Sequence, residues 1–438
     1  MAFKLVLSSA DLSIFVACVV AALGLLVLRR ALRGRARSVD SEKSSPAVKE
    51  RVPGEWTPVP FDYPRFTPST EELGTIKPIA YRPFKWGDYY VTMAVRTMPW
   101  DQWVELDQQF PEVHALCEQR IRARGERVVR INAEQPGVVQ SGRAAAEEFV
   151  HELAEYLSRR HPKVYAVVRS EKEFDGWYGE GRIKDITIVP LQKTYKLDEE
   201  DPMKVAALLV QEDFVLMVEG TDGRYYLQAA ALCIAGSWRL EDKIGLALDE
   251  VHISGHVPQY QSKLHLSMSR FFRRMPLDKP VVRNNYAFQV VKEGAETADP
   301  NELSWAETMN GSEDMPEFQR AARIRDAPTQ GPSAAASTPA TPSTLYLRSE
   351  RQTLRRLPRT GAIAFGIHVY QTPVSELTKE PGVPGRMASA LRSWPEDVAR
   401  YKAKKAFDDI LPYLDACHAE QIAKGMISSE ERESNYPF

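Results

Sequence analysis

Two stretches of the chain concentrate the residue types that do chemistry. Residues 347–358 read LRSERQTLRRLP and hold Arg348, Glu350, Arg351, Gln352, Arg355 and Arg356. Arginines this close together can clamp carboxylates through paired, charge-assisted hydrogen bonds. A solvated helix laced with Glu–Arg pairs would have the same composition, each pair contributing only about 0.2–0.5 kcal/mol. The run passes through Arg359-Thr360-Gly361 directly into an apolar, strand-like segment, which favours the edge of a site over a solvated face. The second stretch, residues 238–272, packs a charged cluster, His252, His256, a Val257-Pro258 turn and an aromatic pair into a short region. We read the two stretches as halves of one site.

His252 and His256 are spaced i, i+4, which on a helix would put both imidazoles on one face. Gly255 between them and Val257-Pro258 just after them disfavour a continuous helix, and with it a two-histidine metal site. A single axial histidine to a haem is less demanding, because it needs one imidazole and no second ligand at fixed spacing. A hydrogen-bonded turn histidine is the plainer alternative. His151 reads as a solvated helix residue, His265 as structural, and His368 as a strand residue facing either a pocket or solvent. The chain has no phosphate-cradling glycine loop, no G-x-S-x-G elbow and no H-E-x-x-H, so kinase and hydrolase chemistry lack support. The four cysteines are scattered, with no C-x-x-C, which excludes a disulfide framework, a zinc site of usual spacing and a cluster-binding thiolate set.

The elements that must position these residues are those of an α+β protein. With 438 residues, 43% hydrophobic and 26% charged, the chain is long enough for one large domain. A net charge of −2 argues against a nucleic-acid partner. Residues 12–28 (LSIFVACVVAALGLLVL) are apolar and would reach about 25 Å as a helix. That is close to the ~27 Å hydrocarbon core of the endoplasmic reticulum. Arg29, Arg30, Arg33, Arg35 and Arg37 follow, which predicts a single span with the body in the cytosol. A cleaved signal peptide is the rival reading, weakened by a single basic residue (Lys4) before the run and no small-residue cleavage site after it.

Residues 1–37 are therefore expected to be a membrane anchor with its basic flank, and 38–80 an extended, Pro-rich tether. Residues 81–422 form the folded domain, interrupted at about 293–344 by a low-complexity insertion expected to be disordered. A tail covers 423–438. Within the domain, strands are expected at 88–96, 186–190, 208–210, 214–218, 225–233, 281–291 and 362–370, with GTDG at 220–223 turning a hairpin. Helices are expected at 101–124, 144–158, 238–249, 260–272 and 388–422, the last broken at Pro412.

Several motifs in order carry a resemblance. They are YYVTMAVRTMPWDQWVELD (89–107), VQEDFVLM (210–217), AAALCIAGSW (229–238), DKIG (242–245), the VH…VPQY turn, SMSRFF, VVRNNYAF and LRSERQTLRRLPRTGAI. Together they resemble the α subunit of haem-dependent oxidative N-demethylase over about residues 81–370. The resemblance implies a PAS-like antiparallel sheet that binds haem b and oxidises a small secondary amine with dioxygen. The family pattern Ile-His-x-Pro-Val-Pro is here two residues longer and lacks its first Pro. His252 carries over as the iron ligand and His256 as the rival cofactor-binding residue. Arg348 and Arg355 carry over as cofactor-binding, and Glu350, Arg351 and Gln352 as catalytic or substrate-pocket residues.

Two function classes follow. The first is a membrane-tethered haem monooxygenase that takes electrons from a separate NADPH/flavin reductase, since the chain itself has neither a nucleotide fold nor cluster cysteines. The second is a haem-binding, PAS-like sensor or regulatory module without turnover.

Overall fold

The computed structural model describes residues 51–171, 176–234, 239–290, 340–402, 404 and 407–428. The chain divides into two units, Met1–Arg51 and Val52–Phe438, and every described strand and helix belongs to the second. The expected anchor and its basic flank, the expected insertion up to residue 339 and most of the tail lie outside the described residues. Among the described residues no helix is long and apolar enough to cross a membrane.

In chain order, strand β1 (Arg96–Thr97) precedes helix α1 (Phe110–Arg124), β2 (Val129–Ile131) and α2 (Arg143–Arg160). Then come β3 (Tyr165–Arg169), β4 (Ile183–Ile188), β5 (Lys193–Lys196), α3 (Pro202–Leu209), β6 (Asp213–Glu219) and β7 (Tyr225–Ala231). Helices α4 (Leu248–Ser254) and α5 (His265–Arg274) lead to β8 (Val281–Val290), β9 (Leu345–Arg356) and β10 (Ile363–Pro373). The chain closes with α6 (Val374–Leu377), α7 (Val383–Arg392), α8 (Glu396–Tyr401) and α9 (Ile410–Ala423).

Seven strands form one antiparallel sheet in the order β1-β8-β9-β10-β6-β7-β2, and β3-β4-β5 form a second. The α+β expectation holds. The β6–β7 hairpin turns where GTDG predicted, with Gly220 N–H donating to Arg224 O at 2.7 Å and Gly223 in the left-handed region at φ +80°. β8, β9 and β10 form a meander whose last strand pairs with β6.

The large sheet has two dissimilar faces. On one, α2 packs Ala146, Phe149, Leu153 and Tyr156 against Phe214, Leu216, Ala229 and Ala364. Gly142 lets the start of α2 approach β7, since a Cβ there would sit 2.1 Å from Gln228 O. On the other, Leu264, Met268 and Phe272 cover Val215, Tyr225, Leu227, Leu354 and Ile363. We call these the α2 face and the α5 face.

Several local expectations are corrected. Residues 208–209 end a helix, because Asp201 caps it by accepting from Lys204 N–H at 2.9 Å and Pro202 occupies its first turn. At 88–96 only Arg96 enters a strand, and helix α4 begins at Leu248 rather than at 238. The C-terminal segment is three helices, and Pro412 sits in the first turn of α9, where no N–H partner is lost. From residue 52 onward the expected tether lies along the domain: Trp56 Nε1 donates to Pro358 O at 2.9 Å and Ser69 N to Arg160 O at 2.7 Å. Residues 341–344 form a turn, and Pro342 O accepts from Ser375 N.

Candidate functional site

The arginine-rich run is neither a loop nor a helix. It is β9, a twelve-residue strand between β8 and β10. A strand sends successive side chains to opposite faces. The run therefore splits into two sets that never meet.

Arg351 and Arg355 project to the α2 face. Arg351 is 2% exposed and pairs with Glu105 at 2.9 Å, and also bonds the carbonyls of Gln102 and Trp103. Arg355 is fully buried and pairs with Glu152 of α2. Its guanidinium lies 4.5 Å from the Trp103 ring and 4.9 Å from that of Trp100. His368 is buried on the same face, 3.1 Å from Glu212, which raises its pKa against the effect of burial. The expectation that Arg351 and Arg355 belong with His252 is corrected by this geometry, since the sheet stands between them.

Arg348, Glu350 and Gln352 project to the α5 face. Their register neighbours on β8 are Ala287, Asn285 and Arg283. Glu350 accepts from Arg348 Nε at 2.9 Å, Gln352 Nε2 at 2.9 Å and Asn285 Nδ2 at 3.2 Å. Burial pushes the Glu350 pKa up, but the Arg348 charge and these three donors outweigh it and hold the pKa below the usual carboxylate value. A carboxylate offers about four lone-pair sites, and these donors use three. Arg348 Nη2 also donates to Ile234 O at 2.6 Å, while its Nη1 is buried without a partner. Arg283 forms no ion pair among the described residues, its Nε is buried without a partner, and burial lowers its pKa. Gln352 Oε1 is also buried without a partner.

Opposite this row stands His252, in the last turn of α4. That helix is fixed at both ends. At its start Glu250 accepts from Ala247 N–H at 3.0 Å, and Arg224 pairs with Asp249 and Glu250 at 2.8 Å each. At its end Lys243 Nζ donates to Val251 O at 3.1 Å and to Ser254 Oγ at 2.8 Å, satisfying groups a helix terminus leaves open. His252 Nδ1 lies 2.7 Å from Leu248 O, which assigns its proton to Nδ1 and leaves the Nε2 lone pair outward. Its ring stacks on Tyr260 at 4.7 Å. Burial first, then the Arg283 and Lys243 charges, lower its pKa and keep the imidazole neutral. A neutral imidazole with one free nitrogen, fixed through the other, is the form that ligates a metal. His256 lies beyond the helix end, exposed, with φ +53°. The two histidines do not share a helix face, as Gly255 and Pro258 led us to expect.

The free edge of β8 beyond Val282 is closed by Lys402, which follows α8. Its Nζ bonds Tyr286 O and sits 4.4 Å over the Tyr286 ring and 5.2 Å from that of Trp394. Burial pulls its pKa down to about 7, with Glu350 opposing and Arg283 adding to the effect.

A family model described as haem-dependent oxidative N-demethylase, alpha subunit-like, matches residues 94–411. The chain belongs to this family. That makes it a member of a haem-dependent oxidoreductase family, and the match runs past residue 370 to include α7, α8 and the start of α9. The family's haem dependence can be tested against the α5 face, where the residues fit the group: a free imidazole nitrogen, an arginine (Arg283) without an ion pair among the described residues, and unpartnered buried donors suited to propionates.

Sequence reasoning missed Arg283 and Asn285, although both lie in the VVRNNYAF motif. Their spacing of two within a strand-like run was the available signal, because it aligns them with Glu350 and Gln352 once β8 and β9 pair. The carboxylates Glu105 and Glu152 gave no such signal, lying about 200 or more residues from their arginines.

Proposed function

We propose that this protein is a haem-dependent monooxygenase of the oxidative N-demethylase kind, acting on a small secondary amine, with haem b between α4 and the α5 face of a PAS-like core. The unpaired, part-buried Arg283 beside the Arg348–Glu350 pair carries this reading. Buried Arg356 on the same face lacks a carboxylate too, but backbone carbonyls take its donors, whereas Arg283 has a buried Nε without any acceptor, which suits it to a bound anion. Arg283 and Arg348 would hold the propionates, and His252 Nε2 would ligate the iron. Glu350 is held ionised with one acceptor site to spare, so it would bind and orient a protonated amine, with Gln352 fixing the carboxylate. When bound, the haem supplies the dioxygen chemistry. Electrons would come from an external NADPH-dependent flavin reductase. The β6–β7 hairpin and the returning β8–β9–β10 meander support the PAS-like reading of the sheet. The anchor at 12–28, an endoplasmic reticulum location and a cytosolic body belong to the same proposal, as do the domain limits drawn from the sequence.

The test uses the full chain in detergent. It should show a Soret band, and amine-dependent NADPH consumption once a flavin reductase is added. His252→Ala should lose or strongly shift the band while His256→Ala keeps it. Loss with His256→Ala alone would place the ligand at the other histidine. Normal haem binding in both single variants and the double variant would remove the site from this face. A band without amine-dependent turnover would favour the sensor reading.

A further inference from the structure

The outer face of α5 carries charge that nothing in the fold uses. Lys263, in the π-helical turn Tyr260–Leu264 that runs directly into α5, and Arg270, Arg273 and Arg274 are all exposed, and none makes an ion pair among the described residues. No acidic residue occurs between positions 259 and 277, so this is a local concentration of positive charge in a chain of net charge −2. With 3.6 residues per turn, Leu266, Ser267, Arg270, Arg273 and Arg274 fall within about 120° of arc. The helix dipole accounts for Arg273 and Arg274 in the last turn. It disfavours Lys263, which lies in the first turn of the continuous helix, so intrahelical electrostatics do not explain the set. Leu266 stands among these charges 66% exposed, and Ile253, next to His252, is 43% exposed.

The position of this face gives the charge a use. The inner side of α5 packs Met268 and Phe272 on the α5 face of the sheet. The His252 ring reaches the helix start through Tyr260, whose ring centroid is 4.7 Å from His252 and 5.9 Å from His265. A partner seated on the outer side would be about one helix diameter, ~10–12 Å, from the helix's inner side. An apolar centre ringed by like charges is the anatomy of a steered, transient protein interface, where charge sets the encounter rate.

We propose that the outer face of α5, centred on Leu266 and bounded by Lys263, Arg270 and Arg274, is the docking surface for an acidic electron-donor protein carrying an iron–sulfur centre. This rests on the reading of the α4–α5 region as the haem site. The exchange served is a one-electron transfer: the donor's reduced centre loses one electron, the haem iron gains one, and no atom moves.

The probe is an acidic [2Fe–2S] ferredoxin, reduced by NADPH and its own reductase, with the full chain in detergent. Binding is followed by fluorescence anisotropy, and haem reduction by the Soret shift. The wild type should bind more weakly as salt rises. Lys263→Glu, Arg270→Glu and Arg274→Glu combined should weaken binding at low salt at least tenfold and remove most of the salt dependence. The combined Gln variants should fall between. Far-UV circular dichroism, the Soret band and reduction by dithionite should be unchanged in all of them. Wild-type binding that the Glu variant leaves intact would overturn the proposal, as would no ferredoxin binding at all. Loss only of binding to phosphatidylserine-containing vesicles would overturn it in favour of a membrane-facing surface. A wild type without a Soret band would remove the haem reading, while the anisotropy result would still judge the surface.

Discussion

The two faces of β9 treat the same residue type in opposite ways. On the α2 face each arginine has its own carboxylate, Arg351 with Glu105 and Arg355 with Glu152. Aromatic rings of Trp100 and Trp103 close over Arg355. On the α5 face Arg348 and Arg283 stand around Glu350, and only Arg348 is paired with it; the nearby buried Asp213 is taken up by the N–H groups of Cys233 and Ile234. Charge balance separates a structural network from a binding one. A balanced buried pair holds the fold, whereas an unbalanced one leaves a charge for a ligand.

The largest effect should come from unbalancing the balanced face. Glu152→Ala strands Arg355 in the core and should cost about 3–5 kcal/mol of unfolding free energy by urea titration. An unchanged midpoint would mean that the aromatic rings alone hold the guanidinium.

Next is a pH effect on the same side. His161, at the end of α2, is buried with Nε2 unpartnered, and burial reinforced by the Arg160 charge lowers its pKa to about 4. The folded value lies below the unfolded one of about 6.5, so its contribution is complete above pH 6.5 and is lost as pH falls toward 4. The loss should approach about 3 kcal/mol, and His161→Leu should flatten that part of the stability–pH curve. An equally steep curve in the variant would assign the acid loss to other groups.

On the unbalanced face the effect should fall on the ligand instead. Arg283→Met should weaken haem binding by about 1.5–3 kcal/mol, the worth of a hydrogen bond to a charged group, as read by haem titration. Its melting temperature without haem should hold or rise, since a half-buried unpaired charge is removed. A large fall in apo-protein stability would make Arg283 structural and erase the contrast between the faces. The smallest effect is expected at the exposed His256, where His256→Ala should change stability by no more than about 0.5 kcal/mol.

Much of the fold was legible because its signals are local. GTDG marks a hairpin through the backbone freedom of Gly223, and the short apolar runs of β6, β7 and β10, the first two joined by that turn, read directly as strands. α2 was legible from its apolar spacing. α3 was not, because its apolar residues are continuous and its only mark is the Asp201-Pro202 start. β9 was not legible as a strand, because its charged side chains break the apolar alternation that announces one. They are tolerable there only because partners neutralise them on one side and a binding face receives them on the other.

The amino-acid order by itself determined that Arg348, Glu350 and Gln352 would share one face and Arg351 and Arg355 the other, given a strand. It also determined that His252 and His256 would not share a helix, since Gly255 and Pro258 act on the backbone at their own positions. Only the tertiary structure decided which face is balanced. That depends on Glu105 and Glu152 arriving from elements near the start of the domain, and on Arg283 and Asn285 arriving by register on a strand that has no acidic residue of its own. Charge compensation acts over a few ångströms, and the chain supplies those neighbours from positions that local propensity does not connect.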